Sequence, residues 1–211
     1  MKITIFDTET TGLPLRGKAL REQPYVIQFA SQTYEYNPQT HRFVEISRFN
    51  QMIKPLAPIS ADSIRITGIT EAMVANMPTF AEMADQILAV FQNSDIAIAH
   101  NLSFDREILS NEFERLGLPR YFLPATTYDS MEGTRDLCKL PGKTGYKAPR
   151  LMELHQFLLN ESFPEAHNAE KDVTALANCV QVLLEKGIYR PVLNQSVTKR
   201  EIPVFEQTSL F

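Results

Sequence analysis

The opening stretch Lys2-Ile3-Thr4-Ile5-Phe6-Asp7-Thr8-Glu9-Thr10 sets terms that the rest of the chain has to meet. Side chains of a strand alternate with period two, so Ile3, Ile5, Asp7 and Glu9 project from one face. That face begins apolar and ends in two carboxylates one pleat apart. Anions so close repel each other unless one takes up a proton or a cation sits between them. A divalent metal is the simplest resolution, because hard cations take oxygen ligands. The competing reading leaves Glu9 in water beyond the strand end and gives Asp7 to a turn.

A chain of 211 residues is long enough for one ordinary domain with a full core. Hydrophobic and charged fractions of 44% and 22% are globular values. A net charge of −4 provides no global basic field, so contact with nucleic acid must come from a local patch. Cys138 and Cys179 show no metal-ligand spacing, which favours a reduced, cytoplasmic chain over a secreted one. No signal peptide is expected, since Lys2 is followed by alternation. No apolar run approaches the length of a membrane span.

Residues 24–36 and 42–53 are rich in β-branched and aromatic types, with turn chemistry at Asn37-Pro38-Gln39-Thr40 between them. With the first strand they make an antiparallel meander, its first connection a polar loop over 15–23. Short helices are expected around 61–75. From Pro78 the period changes, and Phe80, Met83, Ala84, Ile87, Leu88 and Phe91 lie on one helical face. Asp95 to Ala99 reads as a short buried strand. A helix over about 103–116 follows, with Ile108, Leu109, Phe113 and Leu116 inward and Gly117 at its end. Residues 125–128 read as another strand leading to a helix from about 129. Residues 141–149, with Pro141, Gly142, Gly145 and Pro149, read as a loop, and helices run over about 150–159 and 169–186. The order implies an α/β fold, a mixed sheet flanked by helices. The domain is expected over 1–187, followed by a flexible C-terminal tail over 188–211.

Two further acids belong with the first strand. Asp105 lies one turn before Ile108 and Leu109, and Asp172 stands in the same relation to Leu176, so both point to the core side of their helices. Core-facing carboxylates are costly unless paired or metal-bound. The alternatives are a helix N-cap at Ser103 or Asp105, and for Asp172 a salt bridge to Lys171 or Arg190, or solvation. His167 opens the last helix beside Asp172, and an imidazole can accept a proton from water. His41, His100 and His155 read as surface or satisfied core residues.

Asp7-Thr8-Glu9-Thr10-Thr11-Gly12, His100-Asn101-Leu102-Ser103-Phe104-Asp105 and His167-Asn168-Ala169-Glu170-Lys171-Asp172 together resemble the three motifs of the DEDDh family of 3′→5′ exonucleases. Its members include the proofreading epsilon subunit of bacterial replicative DNA polymerases. The resemblance runs over residues 1–187 and implies a ribonuclease-H-like mixed sheet with its first three strands antiparallel. It implies that Asp7, Glu9, Asp105 and Asp172 hold two divalent cations, Mg²⁺ or Mn²⁺, and that His167 deprotonates the attacking water. It also implies substrate contacts at Thr10, Thr11, Gly12, Leu13, Asn101 and Phe104; for Leu13 and Phe104 plain core packing is the alternative. Thr67 stands in Ile66-Thr67-Gly68-Ile69-Thr70 where the family often has His.

Between the second and third motifs, Arg135, Lys139, Lys143, Lys147 and Arg150 face the single acid Asp136, so this stretch either tracks a phosphate backbone or is a solvated surface. Gln207-Thr208-Ser209-Leu210-Phe211 resembles the pentapeptide that binds bacterial sliding clamps, through Gln207, Ser209, Leu210 and Phe211. The alternative is a tail that docks on its own domain. The expected activity is a metal-dependent 3′→5′ DNA exonuclease in proofreading or repair, acting on a single-stranded or frayed 3′ end, as a polymerase subunit or alone. The alternatives are an RNA 3′-end trimming enzyme and a non-catalytic adaptor recruited through its tail.

Overall fold

The computed structural model describes residues 1–118, 120, 122–161 and 167–191. β1 (Lys2–Thr10), β2 (Val26–Asn37) and β3 (Arg42–Met52) form the antiparallel meander. α1 (Ala61–Thr67), α2 (Glu71–Val74) and α3 (Phe80–Gln92) follow before the chain re-enters the sheet. It does so as β4 (Ile96–Ala99), which lies parallel to β1, and after α4 (Leu102–Arg115) it adds β5 (Thr126–Asp129) parallel to β4. The strand order is β3-β2-β1-β4-β5, a mixed sheet with β1 at its centre. α5 (Ser130–Gly133), α6 (Arg135–Cys138), a two-residue-strand hairpin of β6 (Leu140–Pro141) and β7 (Tyr146–Lys147), α7 (Leu151–Leu159) and α8 (Ala169–Glu185) complete the described chain. No helix among the described residues is long and apolar enough to cross a membrane.

The alternation of β1 divides the core in two. Phe6 packs with Phe29, Ile87, Phe91, Ile108, Leu109 and Phe113 under α3 and α4. Ile3 and Ile5 face the other way, against Val173, Leu176 and Val180 of α8 and Leu154 of α7. The face that ends in Asp7 and Glu9 is therefore the face that α8 covers, and this brings Asp172 to those two acids.

Three details depart from the sequence reading. Residues 141–149 are not a plain loop: Leu140 pairs with Lys147 and Pro141 with Tyr146. The turn closes through Gly142 N–H to the Gly145 carbonyl at 2.9 Å. Gly145 has φ +70°, and a Cβ on Gly142 would meet the Lys147 nitrogen at 3.0 Å, so the tight turn favours glycine at both positions. Leu116 does not point inward; it is the C-cap of α4 and 40% exposed, with Gly117 left-handed just beyond it. The loop over 15–23 contains a 3₁₀ turn at Leu20–Glu22.

Gly187, left-handed at φ +64°, ends α8, and Tyr189 then stacks on Tyr128 with ring centroids 4.1 Å apart. The pentapeptide Gln207–Phe211, with the rest of 192–211, lies outside the described residues.

Candidate active site

β4 pairs with β1 only from Ile3↔Ile96 to Ile5↔Ile98, so β1 from Phe6 onward pairs with no strand on that side. Asp7, Thr8 and Glu9 lie in this unpaired end, opposite Ala30, Phe29 and Gln28 of β2. Asp172 arrives from the first turn of α8. Asn168 caps that turn, its Oδ1 accepting the Lys171 N–H and its carbonyl accepting the Asp172 N–H. One oxygen from each of Asp7, Glu9 and Asp172 lies within 4.8 Å of the others. Glu9 and Asp172 are 8% and 9% exposed, Asp7 half-buried.

Three carboxylates in so small a volume hold protons they would otherwise lose. Burial, then the charges of Asp105, Glu9 and Asp172, keep the Asp7 carboxyl well above the usual range. Burial, then Asp172 and Asp105, push Glu9 up to about 8. Asp172 is raised by burial, against hydrogen bonds from the backbone of His167 and Asn168 and the nearby His167 ring. The His167 N–H donates to Asp172 Oδ2 at 2.8 Å, while Oδ1 of the same carboxylate is buried with no hydrogen-bond partner. An orphaned buried oxygen facing two more acids is the donor set of a hard divalent cation, and the three residues fit one.

Asp105 joins this group through the backbone. It sits in the first turn of α4, 2% exposed, and its Oδ1 accepts the Thr8 N–H at 3.0 Å and the Thr8 hydroxyl at 2.7 Å. Burial raises its carboxyl to about 7 in spite of those two bonds. Neither Ser103 nor Asp105 is the N-cap of α4. Asn101 holds that position in a left-handed conformation at φ +75°, because the chain turns sharply out of β4 and leaves Asp105 free to face β1. Asp172 is buried rather than solvated, with the His167 backbone as a hydrogen-bond donor.

His167 is exposed at the mouth of the site, with φ +75° and its backbone tied to Asp172. The other histidines are engaged as expected: His100 between the Ser130 hydroxyl and the Pro149 carbonyl, His41 with the Tyr36 hydroxyl, and His155 with the Glu161 carbonyl.

The expected substrate contacts divide. Leu13 is 76% exposed, so core packing does not explain it, whereas Phe104 is half-buried against the α3–α4 core. Asn101 donates its N–H to Asp129 Oδ1 and accepts from Ser103. The backbone at Thr10 and Thr11 is largely committed inside the protein. Thr10's carbonyl accepts from Ser63, Thr11's accepts from the Ser60 N–H, and Thr11's N–H donates to Tyr25. Gly12's carbonyl accepts from the Thr10 hydroxyl. Thr67 turns inward, its hydroxyl donating to the Ser63 carbonyl.

The basic stretch is less bare than its sequence window implied. Arg135 pairs with Glu132, and Lys147 and Arg150 both pair with Glu153, acids that flank the window. Lys139 and Lys143, on and beside the hairpin, are exposed and have no ion pair among the described residues.

Three residues about the site carry no mark in the sequence reading. Thr8 holds Asp105. Asp129 ends β5, a strand end where parallel sheets gather functional groups, and ties Asn101 to the start of α5. Arg115 donates to the carbonyls of Leu20, Gln23 and Pro24, bracing the loop that carries Leu13. Only Asp129, an acid closing a short strand of β-branched and aromatic residues, left a legible signal.

The mixed sheet flanked by helices is a ribonuclease-H-like α/β fold, with a buried carboxylate cluster at the free end of its central strand. The chain belongs to the RNase_T exonuclease family, whose model it matches over residues 4–180. It is 33% identical over 114 residues to the DNA polymerase III subunit epsilon of Pasteurella multocida, a match covering 54% of this chain and 42% of that protein. The chain spans less than half the length of the first curated relatives it matches. The fold is shared with Exonuclease X in complex with 5′ overhanging duplex DNA, at TM-score 0.58 and 24% identity over 88% of this chain and 93% of that one. It is also shared with a 3′-exonuclease solved with a histone mRNA stem-loop, at TM-score 0.67 and 16% identity over 89% and 64% of the two chains.

Proposed function

We propose that this exonuclease is divalent-metal-dependent and degrades DNA from the 3′ end, releasing nucleoside 5′-monophosphates in proofreading or repair. The observation that carries the reading is the convergence of Asp7, Glu9 and Asp172 within 4.8 Å, with a buried Asp172 oxygen left unpartnered. Asp7, Glu9, Asp105 and Asp172 would hold two cations, Mg²⁺ or Mn²⁺. Bound there, such ions lower the pKa of water and neutralise phosphate charge, which is why a site of acids suits an anionic substrate.

The chain's own groups do the rest. His167 takes the proton of the attacking water, whose oxygen bonds to phosphorus as the P–O3′ bond breaks; the departing 3′ oxygen collects a proton from solvent. Thr8 keeps Asp105 oriented throughout. Leu13, presented on a braced loop, separates the terminal base from its neighbour, and Asn101 and Phe104 line the nucleotide being removed. For Thr10, Thr11 and Gly12 the role is to shape the floor beneath the 3′ end, since their backbone groups are largely engaged.

The DNA reading is supported by the epsilon relative and the duplex-bound neighbour, and the alternative of RNA trimming by the neighbour solved with an mRNA stem-loop. Digestion rates on single-stranded DNA, mismatched duplex DNA and RNA, each with Mg²⁺, Mn²⁺ or EDTA, decide between them. We expect both DNA ends to be shortened faster than RNA, and nothing in EDTA. Faster RNA trimming would overturn the substrate, and release in EDTA the cation site. Gln207–Phe211 is proposed to bind a sliding clamp, beside a polymerase or independently of one.

A further inference from the structure

The site is assembled from β1 and α8, so whatever fixes the first turn of α8 against the sheet fixes the distance from Asp172 to Asp7 and Glu9. Backbone N–H groups in a helix's first turn have no partners inside the helix. In α8, the Lys171 N–H is taken by Asn168, while that of Ala169, the first helical residue, is taken by the side-chain oxygen of Gln28 at 3.2 Å. Gln28 is the residue of β2 directly opposite Glu9, so the two side chains share a face. The rest of its amide is also committed: Nε2 donates to Asn50 Oδ1 at 3.0 Å. Asn50 Nδ2 in turn donates to Glu170 Oε2 at 2.8 Å, which closes a ring through the first two residues of α8.

Packing alone does not call for an amide here. Gln28 is 1% exposed, and an apolar side chain of the same length would fill the space without needing partners. A glutamate would add a charge beside four acids. A neutral group that both accepts from the helix and donates to β3 sets position while leaving the charge of the cluster unchanged.

We infer that Gln28, braced by Asn50 and Glu170, is a positioning residue for the cation site: it holds α8 at the height where Asp172 meets Asp7 and Glu9. The inference rests on the reading of those three acids as a cation site. Gln32 supplies the internal comparison. It is equally buried on the same strand, and its amide lies 2.7 Å from the hydroxyl of Thr174 on the same helix, but beyond Asp172.

The test is Mn²⁺ binding by calorimetry, with thermal melting, on the full chain and its Gln28→Met, Gln32→Met and Asn50→Ala variants. Gln28→Met is expected to weaken Mn²⁺ binding roughly 10- to 100-fold, the usual effect of removing a group that orients a metal ligand. Gln32→Met should lose comparable thermal stability and bind Mn²⁺ as the parent does. Asn50 is exposed, so Asn50→Ala keeps the core intact and should weaken binding in the same direction even if Gln28→Met does not fold. Parental affinity in Asn50→Ala, or equal losses in Gln28→Met and Gln32→Met, would overturn the inference. A parent chain that binds no Mn²⁺ would overturn the cation site itself, and the inference with it.

Discussion

Asp7 and Glu9 carry the conflict on which the molecule is built: burial and the neighbouring acids push both carboxyls up, and both are proposed to work ionised. The sign of the pH dependence follows. A carboxyl near 8 in the folded chain and in the ordinary range when unfolded holds, between those limits, a proton that the unfolded chain lacks. Glu9 therefore stabilises the metal-free fold most at low pH, and its contribution is lost as pH rises towards about 8. Melting in EDTA should show stability falling across that window, and Mg²⁺ should restore it most at the alkaline end. Asp7→Asn removes one of the repelling charges. It should raise the melting temperature of the metal-free protein at pH 8, by about 2–4 °C per kcal/mol of relief, while nucleotide release falls by roughly 100-fold or more. Thr8→Val keeps the shape of the side chain but deletes the hydroxyl donor to Asp105. We expect kcat to drop roughly tenfold or more with little change in KM, measured on a single-stranded oligonucleotide.

Among the elements, the long periodic ones were legible and the short ones were not. β1, the meander, α3, α4 and α8 follow from alternation or from a helical stripe, and Asp105 and Asp172 were found because they fall on the stripe. The hairpin of β6 and β7 was not legible, since two residues per strand leave no period to read and its glycines suit a loop equally well. Nor could sequence settle the start of α4. Ser103 and Asp105 are good caps by residue type, but the turn out of β4 gives the position to Asn101. The hairpin matters because Lys139 precedes it and Lys143 sits in its turn, and within the basic stretch over 135–150 these two lysines have no ion pair among the described residues. Reversing Lys139 and Lys143 to Glu should weaken binding of single-stranded DNA about equally for all sequences. The slope of log affinity against log salt should fall by about 0.7 for each phosphate that is no longer neutralised, read by fluorescence anisotropy.

At the scale of the whole molecule, the catalytic body and the proposed clamp-binding peptide Gln207–Phe211 should separate. Ending the chain after residue 191 is expected to leave digestion of free oligonucleotides unchanged and to abolish retention on an immobilised sliding clamp; equal retention would reject the peptide as the anchor. Local order along the chain is enough to specify the class of this protein. Alternation names the face of β1, helical period names the faces of α4 and α8, and each acid is visible on its own element because a charge on an apolar face is conspicuous. Only the tertiary structure decides that the faces meet. α8 covers the Ile3–Ile5–Asp7–Glu9 side of the sheet, β4 stops short and leaves Thr8 to receive Asp105, and Gln28 and Arg115 act on segments far from them in the chain. Sequence periodicity reports which way a side chain points within its own element. Distances between elements arise from packing, through contacts whose partners lie 97 and 141 residues apart and share no local pattern.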